Sequence, residues 1–177
     1  MSELYEKIIR DHGSGRNLLD RIPGLRGYMD KGDRRTADRM LREHIAQQLE
    51  QRRDRFTGLE KQILRSGGMR MMSQTREAKT KFQNYIDRVK AAAPGYSGFF
   101  AAVNVDETAL EELYAFDAAQ VRYLGQFDVA LDAVEEANTN GEGLEAAVQG
   151  VYDLAAEALQ AFELREGVLT DLNKTYS

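Results

Sequence analysis

Few side chains in this sequence have the types and spacing that catalysis or metal binding needs. Cysteine is absent, and histidine occurs only at His12 and His44. Without thiols there are no disulfides, no thiolate metal sites and no cysteine nucleophiles. A carboxylate-bridged di-metal site in a helical bundle requires Glu-x-x-His on two helices and a further Glu from each of two others. Position 9 is Ile9 and position 41 is Leu41, so neither histidine follows a glutamate at that spacing. Glu111, Glu112, Glu135 and Glu136 are the carboxylates left for an oxygen-only site, and solvated helix faces explain them better. The expectation is no metal and no cofactor.

Acid–base chemistry fares no better. His44 stands beside Glu43 near an apolar stripe, with no partner or oxyanion stabiliser in view. His12-Gly13-Ser14-Gly15 has the glycines of a phosphate nest, but glycines that end a helix are far commoner. Phosphate-loop, dinucleotide and hydrolytic motifs are absent. A non-enzymatic protein is the expected reading. A metal carrier or enzyme working inside the bundle would have to use Asp117, Asp128 and Tyr114, the polar groups near the apolar stripe of its helix.

Charge is the least ordinary feature. Residues 1–90 hold 21 Lys+Arg and 13 Asp+Glu, a net of +8; residues 91–177 hold 3 and 16, a net of −13. Arg35, Arg39 and Arg42 follow helical spacing on one face, and Arg52, Arg53 and Arg55 form a second cluster. Such clusters can meet a polyanion. Asp38, Glu43, Glu50 and Asp54 are interleaved with them, however, and pairs such as Asp38–Arg42 absorb charge. No aromatics are placed for base stacking, so nucleic acid is not the expected partner. The preferred reading packs basic helices beside acidic ones. Self-assembly, with the basic half of one copy meeting the acidic half of another, is a further reading.

Two groups are candidate contact surfaces. Met69, Met71 and Met72 sit beside Gly67-Gly68, and methionine adapts to irregular partners. Tyr96, Phe99 and Phe100 lie in a glycine-bearing connector. Packed inward, either group closes the end of a bundle; exposed, it marks a partner site.

The elements that position these residues are helices. Proline occurs only at Pro23 and Pro94, and Ala, Leu, Glu, Gln and Arg dominate. Apolar residues recurring at three and four predict helices over about 34–65, 70–93, 106–138 and 143–173. Asp33 and Asp106 are suited to cap the first and third. Ser66-Gly67-Gly68, Pro94-Gly95 and Asn138–Gly143 supply the breaks. Gly67-Gly68 reads as a turn, with a mere kink as the alternative. Residues 1–33 read as a short helix over 3–11 and an arm turning at Ile22-Pro23-Gly24-Leu25, packed on the bundle. The predicted fold is all-α: an antiparallel four-helix bundle over 34–177 with a packed N-terminal arm over 1–33.

No stretch approaches the roughly 18 apolar residues of a membrane span, and Met1–Asp11 lacks the apolar region of a signal peptide. A cytoplasmic protein is expected. The expected function is protein–protein contact, with a homo-oligomer as one form of it. In helical length and charge separation the chain resembles long-helix membrane-remodelling proteins of the phage-shock and ESCRT-III type, although it shares no motif with them. That resemblance of architecture implies the alternative, a peripheral scaffold on an anionic membrane surface.

Overall fold

The computed structural model describes residues 2–11, 17, 19–30, 34–92 and 107–175. Among them the secondary structure is all helical, with six α-helices packed on one another. They are α1 Glu3–Arg10, α2 Leu25–Asp30, α3 Arg34–Arg65, α4 Met72–Ala91, α5 Glu107–Asn140 and α6 Leu144–Thr175. A 3-10 turn, Met69–Met71, leads into α4. The four long helices lie where the apolar periodicity places them. The helical part of the third segment runs two residues beyond its expected end, through Asn140, and stops at Gly141, whose φ of +76° suits glycine. Asp33, Asp106 and the His12–Gly15 segment lie outside the described residues.

The buried stripe of α4 is Thr75, Ala78, Phe82, Tyr85, Ile86 and Val89, the face its spacing predicts. Phe82 stacks on Phe127 of α5 with ring centroids 4.3 Å apart. From α3 come Leu41, Ile45, Leu49, Phe56, Leu59 and Ile63, and from α6 Val148, Val151, Ala155, Ala158 and Phe162. Along α5, every residue from Ala115 to Gln120 is buried, more than a single stripe. The reason is α1, which covers the side of α5 left open by the other long helices and brings Tyr5 against Phe116 at 5.4 Å.

The cross-helix contacts give the direction of each pair. Between α3 and α4, Arg53 meets Gln83 and Glu60 meets Lys79, so the two run antiparallel. Between α5 and α6, Asp117 meets Arg165 and Tyr123 meets Glu157, again antiparallel. Across the seams the order rises together. Arg52 meets Asp128 and Ser66 meets Asn138, so α3 and α5 are parallel. Gln74 meets Glu145 and Arg88 meets Glu166, so α4 and α6 are parallel too. Two helical hairpins therefore lie side by side, with both of their short turns at one end. Short connections make antiparallel neighbours only within each hairpin.

The described residues ahead of α3 make contacts with the long helices. Ser2 caps α1 by accepting from the Tyr5 N–H at 3.3 Å. Ile8, Leu19, Ile22 and Leu25 join the core. At Pro23-Gly24 the chain turns as expected: Gly24 has φ +80°, and the Leu25 N–H donates to the Ile22 carbonyl at 3.2 Å. The following residues form the short helix α2 rather than an irregular arm. Gly27 does not prevent it, because six helical residues packed on α3 need little intrinsic propensity.

Gly67-Gly68 is a turn, not a kink. Gly67 takes φ +94°, and the Gly68 N–H reaches back to the Ile63 carbonyl at 3.0 Å, the long bond of a Schellman cap. A Cβ on Gly68 would lie 2.7 Å from both that carbonyl oxygen and the Ile63 side chain. Gly68→Ala is therefore expected to lower unfolding free energy by about 1–3 kcal/mol. Gly58→Ala, within α3 and with nothing within 4 Å of the new methyl, is expected to raise it by about 0.5–1 kcal/mol. Urea midpoints at constant slope would separate the two; equal shifts would contradict the close approach at Gly68.

Candidate functional site

The polar groups inside the bundle begin with Arg165, the largest fully buried side chain at 1% exposure. It occupies a stripe position of α6, three residues after Phe162 and four before Leu169. Its Nε donates to Asp117 of α5 and its Nη2 to Asp38 of α3. Asp38 also accepts from Nε of Arg42 at 2.9 Å, and Arg42 donates from Nη1 to the Ala92 carbonyl at 2.6 Å. One cluster thus joins α3, the residue that follows α4, α5 and α6. Its two guanidinium groups face two carboxylates. Burial pushes the Asp117 carboxyl above its ordinary pKa, and the guanidinium of Arg165 opposes the shift.

The sequence trio Arg35, Arg39 and Arg42 is divided by this cluster. Arg35 lies in the first turn of α3, and its side chain is outside the described residues. Arg39 is exposed, 3.9 Å from Glu43. Arg42 turns inward to Asp38, the pairing the i,i+4 spacing suggests. Further along α3, Arg52 clamps α5: it donates to the Leu124 carbonyl at 2.9 Å and to Asp128 at 2.7 Å. Arg55 pairs with Asp132 at 2.7 Å and Glu135 at 2.8 Å. Two of the polar groups proposed for an interior metal site, Asp117 and Asp128, are thus engaged by arginines. Among the described residues, no three metal-ligating side chains converge.

Two further buried polar groups, Tyr85 and Glu60, are paired, whereas Gln120 Nε2 and Arg122 Nη1 are buried without a hydrogen-bond partner among the described residues. The Tyr85 hydroxyl donates to Gln120 Oε1 at 2.6 Å, and burial raises its pKa. Glu60 accepts from Thr75 at 3.2 Å and from Lys79. His44 is half-buried, and burial, aided by Arg52, lowers its pKa.

The methionine cluster splits. Met71 is buried, while Met69 is 61% and Met72 39% exposed. Of the three, Met71 lines an open cleft of about 710 Å³ between the two hairpin turns, with Arg70 and Gln74 on its side and Gly141, Gly143, Leu144 and Glu145 on the other. Tyr96, Phe99 and Phe100 lie outside the described residues. Sequence reasoning missed Arg165. Its signal was a cation on the apolar stripe of a half-chain that has only three cations, Arg122, Arg165 and Lys174.

Compared with protein-family models, with curated proteins and with solved structures, the chain matches none. Its function must be read from its own geometry.

Two outcomes follow from these buried polar groups. Arg165→Met leaves Asp117 buried without its guanidinium and is expected to cost about 3–5 kcal/mol near neutral pH. In that variant the folded-state pKa of Asp117 lies further above its unfolded value. The native state then binds the extra proton, so the deficit shrinks as pH falls towards the ordinary carboxylate range. Urea unfolding across that range reads this, and a pH-independent deficit would contradict it. At the alkaline side, native Tyr85 keeps its proton beyond the ordinary tyrosine value of about 10. Stability should fall as pH rises past that value. Tyr85→Phe should lose about 1 kcal/mol at neutral pH, the hydrogen bond to Gln120, and show a shallower alkaline fall.

Proposed function

We propose that the chain is a non-enzymatic helical-bundle protein that acts through protein–protein contacts, with self-association as the leading form. The four long helices serve as the rigid body, a four-helix bundle of two antiparallel hairpins. The observation that carries this reading is the way the interior polar groups are spent. Arg165, Asp117, Asp38 and Arg42 bind one another, and Tyr85 binds Gln120. A catalytic or carrier site instead keeps convergent groups open to a ligand. The open cleft lies at one end, beside exposed methionines, where a partner surface has access.

Charge supports self-association over a lipid scaffold. Residues 34–91 hold 15 Lys+Arg against 7 Asp+Glu, a net of +8, and residues 107–175 hold 3 against 15, a net of −12. An anionic membrane would repel the second hairpin wherever it approached the surface. Another copy of the chain presents both signs.

Sedimentation velocity of the wild-type chain over a range of concentrations tests the reading. An oligomer that grows with concentration and dissociates as salt rises from about 50 to about 500 mM is expected. A monomer unaffected by concentration and salt would refute self-association.

A further inference from the structure

We infer that the end of the molecule bearing both hairpin turns is a two-lobed, self-complementary surface through which two copies pair tip to tip. This rests on the self-association reading above and gives it a location.

Most cations described for the α3–α4 hairpin are already occupied within the chain. Arg39 pairs with Glu43, Arg42 with Asp38, Arg52 with Asp128 and Arg55 with Asp132. Arg53 pairs with Asp54, Lys79 with Glu60, Arg88 with Glu166 and Lys90 with Glu50. Lys81 lies over the Tyr152 ring. Lys61, Arg65, Arg70 and Arg76 differ: they are exposed, and among the described residues none enters an ion pair. All of them flank the turn between α3 and α4. Among the described residues, two of the three exposed large apolar side chains, Met69 and Met72, sit in the same turn.

The neighbouring turn, between α5 and α6, carries the opposite sign. Glu136, Glu142 and Glu145 are exposed there, and their carboxylates also enter no ion pair among the described residues. The two turns are held at one end by Ser66 to Asn138 at 3.3 Å and by Gln74 to the Glu145 carbonyl at 2.9 Å. Arg70 and Glu145 line opposite sides of the cleft between them. The tip is thus one cationic, methionine-bearing lobe beside one anionic lobe.

Such a surface matches itself. A twofold axis lying in the plane of the tip, along the cleft, sets the cationic lobe of each copy on the anionic lobe of the other. Met69 and Met72 of each copy then lie within the contact, where a flexible thioether adapts to its neighbour. A flat lipid surface meets both lobes at once and is repelled by the glutamates; a second copy engages both. Helices about 10 Å apart make a bundle end about 20 Å across, so two such ends cover roughly 800 Å² in total. That area belongs to weak, transient contacts, and charge provides the selectivity.

The test uses the 177-residue chain in three forms: the wild type, the double variant Arg70→Glu/Arg76→Glu, and the double variant Glu142→Arg/Glu145→Arg. All four positions are exposed, and matching thermal unfolding curves confirm that the variants are folded. By sedimentation velocity the wild type is expected to dimerise at tens of micromolar, weakening roughly tenfold as salt rises from about 50 to about 500 mM. Each variant alone should be monomeric: in the first, two new glutamates offset Lys61 and Arg65 and cancel the charge of the cationic lobe, and in the second both lobes are cationic. An equimolar mixture of the two variants should form a heterodimer, because the anionic lobe kept by the first meets the cationic lobe kept by the second, and the new glutamates of the first face the new arginines of the other. Variants that dimerise as well as the wild type would overturn the tip assignment while leaving self-association in place. A monomeric wild type would overturn both. A monomeric wild type that co-sediments with phosphatidylserine vesicles, and loses this with Arg70→Glu/Arg76→Glu, would reassign the tip to a lipid surface.

Discussion

The guanidinium of Arg165 is the constraint around which the helices are arranged. A charge taken out of water is costly unless its partners are close and well oriented. Here the partners are Asp38 and Asp117, on two different helices, and both are buried too. Sliding α6 by one residue would part Arg165 from Asp117 and leave both charges in the core, while Asp38 would keep only Arg42. Apolar side chains tolerate such slippage much better, because one leucine replaces another at modest cost. The apolar stripes thus drive association, and the ionic cluster fixes the register. Arg42 extends the effect by holding the Ala92 carbonyl at the end of the second helix of the hairpin.

Charge has a second, weaker role along the seams. Exposed ion pairs such as Arg55–Glu135 each contribute about 0–1 kcal/mol, too little to hold the fold. What they do is discriminate. One hairpin is strongly cationic and the other strongly anionic, so a hairpin facing a copy of itself meets like charge. The helical order of the molecule follows from this selection together with the shapes of the apolar faces.

Much of this was legible in the sequence. The stripe of α4, Thr75 to Val89, follows directly from its spacing, and the turn at Gly24 follows from Pro23-Gly24. The same periodicity could not reveal that α5 is buried on more than one face, because that depends on where α1 lands, and α1 is distant in the chain. Nor could it reveal α2, whose helix is made by packing. The Asp38–Arg42 pair is local and readable. Its completion by Arg165 spans 127 residues, and no local pattern encodes a contact at that separation. The methionines show the same limit: spacing groups Met69, Met71 and Met72, whereas the 3-10 turn buries only the middle one.

The placement of both short turns at one end also bears on how the chain folds. Each hairpin closes over a few residues, so α3 can find α4, and α5 can find α6, at small loop-closure cost. The seams and the Arg165–Asp38 contact join residues far apart in sequence and belong to a later docking step. Opposite net charge draws the two preformed hairpins together before any side chain interlocks. It also discourages the early meeting of two like hairpins from different chains, the encounter that would otherwise lead to misassembly during synthesis.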